Sequence, residues 1–228
     1  MWALLPIKAL RGAKKRLSEL LSEDERAGLV RAMASDVLTA LRGAKRLEGV
    51  IVLSSDPDVQ ALAESAGARF LPEGDAKGLN PVLEHAVETL AAEGIESILI
   101  VHGDLPLARP EEFDALVAAQ APAPALTIAP SRDDGGTNAM AISLPAPISL
   151  EYGKGSFAKH MRAAKAAGVT PPVLELAGIG LDIDRPADLL AFLAEACPGK
   201  TTDYLVESGI AERLQGIDRD PDITSEAL

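Results

Sequence analysis

Two unbroken apolar runs, Val50-Ile51-Val52-Leu53 and Ile98-Leu99-Ile100-Val101, constrain the fold more than any other feature of the chain. A strand with one wet face alternates apolar and polar residues, whereas a strand that is apolar at every position must be covered on both faces. Each run ends in a turn signal, Ser54-Ser55-Asp56-Pro57 and His102-Gly103-Asp104-Leu105-Pro106, and helical spacing follows each. Strand, turn and helix repeated in this way imply an α/β fold, with a mostly parallel central sheet and helices on both faces. Ligands are then expected beyond the carboxyl ends of the strands.

The rest of the chain extends the pattern. Residues 2–7 read as a first buried strand. Ser22 and Glu25 form a capping box ahead of Val30, Met33, Ala34, Val37, Leu38 and Leu41, which recur at helical spacing. A helix is expected over 58–66, a short strand at Arg69-Phe70-Leu71, and a helix capped by Asn80-Pro81 running to about 93. Pro110-Glu111-Glu112 opens another helix with its acids at the positive end of the dipole. After Gln120, strands over 125–129 and 138–143 flank a turn-rich stretch and suggest a small antiparallel insertion near the sheet edge. A helix over 156–167, a strand over 173–176, a short strand into Asp182-Ile183-Asp184 and a helix from Pro186 to about 195 complete the reading. Residues 1–215 are expected as one domain and the acidic end, 216–228, as a flexible tail.

Charge narrows the function. With 34 acidic against 22 basic residues the net charge is −12, a surface that repels phosphate backbones, so nucleic acid is not an expected partner. No apolar run approaches the roughly 20 residues of a membrane span, and the apolar start precedes its positive charges, the reverse of a signal peptide. One cysteine, Cys197, and three histidines exclude an internal disulfide framework and a Cys/His zinc cage, and a reducing, cytoplasmic setting fits.

Against that acidic background, Lys8, Arg11, Lys14, Lys15 and Arg16 crowd the loop after the first strand. In this position they suit a polyphosphate, or else form a solvated charged loop. Neither a Gly-x-Gly-x-x-Gly fingerprint nor a phosphate loop is present, so side chains would have to hold the phosphates. Asp104 follows a buried strand, and Asp182 and Asp184 lie on one side of an extended segment that could face it; such hard oxygen ligands suit Mg²⁺. Asp184 reads equally as a cap for the helix at Pro186, and Asp104 as a turn residue. Gly135-Gly136-Thr137-Asn138 and Tyr152-Gly153-Lys154-Gly155-Ser156 offer backbone amides, the second at a helix start that favours an anion. His160 lies one turn past Ser156, within reach of that pocket. His85 and His102 read as structural, and Cys197 as inert.

Taken in order, these segments resemble one family. They are Leu5-Pro6-Ile7-Lys8 with Ala13-Lys14-Lys15-Arg16-Leu17-Ser18, Gly78-Leu79-Asn80, Gly103-Asp104-Leu105-Pro106, Gly136-Thr137-Asn138-Ala139, Tyr152-Gly153 with Ser156-Phe157 and His160, and Leu181-Asp182-Ile183-Asp184-Arg185-Pro186-Ala187-Asp188-Leu189. The family is the guanylyltransferases of coenzyme F-420 biosynthesis, which act on 2-phospho-L-lactate, phosphoenolpyruvate or 3-phospho-D-glycerate. The resemblance implies a GT-A-like, Rossmann-type nucleotidyltransferase that uses GTP and Mg²⁺ and releases pyrophosphate. It implies metal carboxylates at Asp104, Asp182 and Asp184, and an acid pocket at Thr137, Gly153 and Ser156. Nucleotide contacts are implied at Lys8, Lys14, Arg16, Asn80 and Asp104, with Lys14, Arg16 and Asp104 serving catalysis. A homodimer is also implied, with its contact expected over 122–150. Tyr152 departs from the Phe of many relatives and adds a phenol beside the acid's pocket. Rival readings are a nucleotidyltransferase for another acceptor, such as a pterin or isoprenoid precursor, and a non-catalytic nucleotide sensor on the same fold.

Overall fold

The computed structural model describes residues 1–133 and 135–218, with side chains through Leu214. Its centre is a six-stranded sheet of β1 (Trp2–Pro6), β2 (Gly49–Ser54), β3 (Arg69–Pro72), β4 (Ser97–Val101), β5 (Leu126–Pro130) and β6 (Thr137–Ser143), in the order β3-β2-β1-β4-β6-β5. The four strands from β3 to β4 are parallel, and β6 runs antiparallel to both β4 and β5. The apolar runs are central, as their lack of alternation requires: Leu4, Leu5, Ile51, Val52, Ile98 and Ile100 are all fully buried.

The two faces of the sheet carry separate cores, and successive residues of each strand feed opposite ones. Ala3, Leu5, Val50, Val52, Leu99 and Val101 meet α1 (Glu23–Gly43), α2 (Pro57–Ser65) and α4 (Pro110–Ala118). Leu4, Ile51, Leu53, Ile98 and Ile100 meet α3 (Leu79–Ala92) and α5 (Ser156–Ala166). The α1 capping box forms as expected, with Glu25 N–H donating to Ser22 Oγ and Ser22 N–H to the Glu25 carboxylate.

Several expectations are corrected. The antiparallel pair does lie at the sheet edge, as expected, and it continues the main sheet: β6 hydrogen-bonds to β4 and is buried at all seven positions. No strand forms over 173–176 beyond a single bridge from Val173 to Ile128, because Pro171 and Pro172 lack N–H donors and Val173 is 41% exposed. Asp182-Ile183-Asp184 is extended but unpaired, and the short α6 (Ala177–Gly180) precedes it. Asn80 does not cap α3; Gly78 stands at that position and Asn80 lies inside the first turn.

The polar stretch after Pro198 is helical. After α7 (Pro186–Ala194) come α8 (Lys200–Glu207) and α9 (Ile210–Asp218), which put Leu205, Ile210 and Leu214 into the core shared with α1. Asp36 of α1 accepts the Lys200 and Thr201 amides, each at 2.8 Å, and the Tyr204 hydroxyl donates to Glu25 O at 3.0 Å. Helix α9 runs three residues past the boundary expected at 215, and the rest of the expected tail lies outside the described residues.

Candidate active site

The carboxyl ends of β1 and β4 deliver the loop over 7–16 and the Gly103-Asp104 turn to the same edge of the sheet. The basic loop is held from two sides. Arg26 of α1 donates to Ala13 O at 3.1 Å and to Leu21 O at 2.6 Å, and Asp56 accepts the Leu10 amide at 2.9 Å while capping α2 through the Asp58 amide. Neither Arg26 nor Asp56 stands out in the sequence, where each reads as an ordinary helix or cap residue. Lys14 itself sits in the left-handed region at φ 50°, strained for a residue with a Cβ.

That backbone turn aims the Lys14 ammonium between two carboxylates, 2.5 Å from Asp104 Oδ2 and 2.6 Å from Asp184 Oδ1. Arg16 reaches the other oxygen of Asp184 at 3.0 Å. A backbone bond from Ile183 N–H to Asp104 O, 3.1 Å, brings the 182–184 segment against the turn after β4. Asp188 then accepts the Asp184 and Arg185 amides, so it is Asp188, and not Asp184, that completes the cap of α7. Burial alone would lower the pKa of Lys14, but the fields of Asp104 and Asp184 outweigh it and raise it well above the ordinary lysine value. Burial likewise pushes Asp104 upward, and the Lys14 ammonium, by charge and by hydrogen bond, more than reverses it, so Asp104 is ionised at neutral pH.

Asp182 stands apart from this cluster. Its Oδ1 accepts from Ser131 Oγ at 2.9 Å and from Asn138 Nδ2 at 3.0 Å. Among the described residues no three Asp, Glu, His or Cys side chains gather into a metal-binding group, so the structure does not assemble the three carboxylates as one set. Two features suit a divalent cation nonetheless. Asp104 and Asp184 converge on one cation position, and Asp104 Oδ1 is buried with no hydrogen-bond partner. A two-carboxylate site completed by substrate phosphates is the ordinary arrangement for Mg²⁺.

Two cavities meet at Asp184. One, of about 420 Å³, is lined by Lys8, Gly12, Lys14, Lys15, Leu79, His102 and Asp104. The other, of about 590 Å³, is lined by Arg16, Ser131, Gly153, Lys154, Asp182 and Arg185. Gly153 adopts φ +120°, a backbone conformation that favours glycine, and has open space where a Cβ would stand. Thr137 and Ser156 do not line the cavity; they are 3% and 2% exposed, joined to each other by a Thr137 N–H to Ser156 Oγ bond of 2.9 Å. Asn80 spends its side chain on the backbone of Tyr152, donating to its O at 3.1 Å and accepting from its N–H at 2.8 Å. It fixes the Tyr152-Gly153 loop from α3. Tyr152 is buried between His102 and His160, edge to face at 5.0 Å from each, and its hydroxyl has no partner. Burial raises the phenol's pKa and lowers that of His102, so both are neutral. His85 and Cys197 lie outside both cavities.

Comparison with solved structures agrees with the fold. A protein of Desulfovibrio desulfuricans G20 described as a nucleotide-diphospho-sugar transferase superposes with a TM-score of 0.71 at 17% identity, over 93% of this chain and 96% of that one. A nucleotidyl transferase of Methanothermobacter gives a TM-score of 0.58 at 16% identity, over 84% of this chain and 95% of its own. Closer in sequence are the phosphoenolpyruvate guanylyltransferase of Sphaerobacter thermophilus, 40% identical over 91% of this chain and 98% of its own length, and the 3-phospho-D-glycerate guanylyltransferase of Phenylobacterium zucineum, 34% identical over 89% and 94%. The 2-phospho-L-lactate guanylyltransferase of Methanothermobacter thermautotrophicus is 35% identical over 82% and 81%. The family described as "Guanylyl transferase CofC like" matches residues 1–219, and with the sheet topology and the paired cavities it makes this chain a nucleotidyltransferase of that family.

Proposed function

We propose that the chain transfers GMP from GTP to a small phosphorylated acid, releases pyrophosphate, and serves coenzyme F-420 biosynthesis. Phosphoenolpyruvate and 3-phospho-D-glycerate are preferred over 2-phospho-L-lactate as acceptors. The observation that carries this reading is the Lys14–Asp104–Asp184 cluster at the meeting point of two cavities, one with a basic loop for a triphosphate and one with Arg16, Lys154 and Arg185 for an anionic acceptor. The 40% identity to a phosphoenolpyruvate enzyme and 34% to a 3-phospho-D-glycerate enzyme support the choice of acceptors.

In the proposed reaction a phosphate oxygen of the acid attacks the α-phosphorus of GTP, and the bond from that phosphorus to the β-phosphate oxygen breaks in line. The attacking phosphate is already ionised, so no general base and no covalent enzyme intermediate are needed; catalysis is positioning and charge neutralisation. Lys8, Lys14 and Arg16 would stabilise the departing pyrophosphate. Asp104 and Asp184 would hold a Mg²⁺, with Asp182 on the acceptor side, and the ion when bound would neutralise phosphate charge as the nucleophile approaches. Gly153, Thr137 and Ser156 would shape the acid's side of the site, and Asn80 would act through the Tyr152-Gly153 loop. A homodimer and a cytoplasmic setting belong to the same proposal.

The test is product analysis. Incubation with GTP, Mg²⁺ and each acid should yield a new asymmetric diphosphate, seen by phosphorus NMR as a coupled pair of resonances, together with pyrophosphate. No such pair with any of the three acids would overturn the reading.

A further inference from the structure

His160 is fully buried on α5, one turn beyond Ser156, and no step of the proposed transfer uses it. Both ring nitrogens are engaged. Nε2 accepts the Glu151 backbone N–H at 3.0 Å, and Nδ1 lies 3.0 Å from Thr137 Oγ1. An amide N–H can only donate, so Nε2 carries no proton, and a neutral imidazole must then hold its hydrogen on Nδ1. Burial, helped by Lys159 and opposed by Glu151, takes the ring's pKa to about 4, which keeps it neutral. Nδ1–H therefore donates to Thr137 Oγ1, and the Thr137 hydroxyl must send its own proton elsewhere.

Ser156 is in the same position, because its Oγ accepts the Thr137 amide. Both hydroxyls are buried, and among the described residues neither proton has a protein acceptor. Each hydroxyl oxygen is satisfied by the bond it accepts, which leaves each with only its proton to offer, and an anionic ligand oxygen in the neighbouring cavity is an acceptor of the right kind. The pair adjoins the acid cavity: Ser156 N–H donates to the carbonyl of Gly153, which lines it. The Tyr152 ring, wedged between His102 and His160, restrains the imidazole from one side.

We propose that His160 is the positioning residue of the acceptor pocket: its Nδ1–H turns the Thr137 hydroxyl into a donor toward an anionic oxygen of the phosphorylated acid, while its Nε2 fixes the chain that leads into Gly153. The inference rests on the acceptor reading above and adds the device that gives the pocket its donor polarity. Thr137 could not hold this orientation by itself, because a free hydroxyl accepts as readily as it donates.

Three substitutions separate the two contacts. His160→Asn can keep an N–H near the Nδ1 position and abandons Glu151; His160→Gln can place a carbonyl near Nε2 for the Glu151 amide and abandons Thr137; His160→Phe loses both. Initial rates of pyrophosphate release give the KM of phosphoenolpyruvate and of GTP for each. The Gln and Phe variants should raise the acid's KM by about tenfold or more, the Asn variant by less than about threefold, and GTP's KM should move by less than about twofold in all. In a Thr137→Val background, His160→Gln should raise the acid's KM no further. Equal losses for Asn and Gln, a parallel rise in the KM of GTP, or multiplying losses with Thr137→Val would each overturn the assignment. If His160→Phe does not fold, as its melting curve would reveal, the Asn and Gln contrast decides. Wild-type protein is assayed first with phosphoenolpyruvate, 3-phospho-D-glycerate and 2-phospho-L-lactate. Inactivity with all three sinks the acceptor reading together with this inference, whereas an active wild type with an unchanged Gln variant sinks this inference alone.

Discussion

Lys14 Nζ lies 2.5 Å from Asp104 Oδ2, although 90 positions separate the two residues in the chain. The ammonium is 9% exposed and also touches Asp184, so it already stands where two carboxylates would otherwise repel each other. The first strand's loop and the fourth strand's turn are thereby tied together through charge. Asp104 is consequently more than the bare, metal-facing carboxylate that its place after a strand suggested.

Asp104→Asn should lower turnover by more than about a hundredfold, or 2.7 kcal/mol of barrier. It should also destabilise the protein by about 1–3 kcal/mol, because Lys14 loses part of its compensation; the partial exposure of Asp104 keeps this below the cost of breaking a fully buried pair. For a domain of this size that is a fall in Tm of roughly 3–10 °C. An unchanged Tm would show that the pair contributes nothing to the fold.

His160 supplies a pH dependence. In the fold it titrates near 4, and once unfolded near 6.5, so between these values the unfolded state binds more protons. Its contribution is full above pH 6.5 and is lost as the pH falls toward 4, on the order of 2–3 kcal/mol. The Tm gap between wild type and His160→Asn should therefore narrow from pH 7 to pH 4.5. A gap that stays constant would contradict the neutral, doubly bonded ring.

Asn80→Ala removes both bonds to the Tyr152 backbone. It should raise the acid's KM several-fold with GTP's KM nearly unchanged, and cost about 1–3 kcal/mol of stability. A selective rise in the KM of GTP would return Asn80 to the direct nucleotide contact that the family resemblance implied.

Leu205 on α8 is fully buried. Leu205→Ala should cost about 2–5 kcal/mol, measured by denaturant or thermal unfolding, if α8 is part of the main core. A surface-like effect of under about 0.5 kcal/mol would mean that the helix is only loosely attached.

The central strands were legible because a run such as Val50-Ile51-Val52-Leu53 admits few other placements, and the α1 cap because Ser22 and Glu25 satisfy each other locally. Helices α8 and α9 were not. Their buried residues, Leu205, Ile210 and Leu214, are spread through a polar stretch, and Asp36, which caps α8, lies 164 positions away from Lys200. At the site, Lys8, Lys14 and Arg16 announced themselves by charge density against an acidic chain. The pairing of Lys14 with Asp104 and Asp184 did not, since it depends on a left-handed backbone at a lysine. Arg26, Asp56 and Ser131 were equally hidden, because each acts by holding another residue and its partner is set by tertiary structure.

The most direct measurement is the rate of pyrophosphate release from GTP and from ATP, each with phosphoenolpyruvate, 3-phospho-D-glycerate, 2-phospho-L-lactate or no acid. GTP should release pyrophosphate only when an acid is present, and should exceed ATP by at least about tenfold, since guanine-reading polar groups are left unpaired by adenine. Release that is independent of the acid, or equal with ATP, would contradict guanylyl transfer to a small phosphorylated acid.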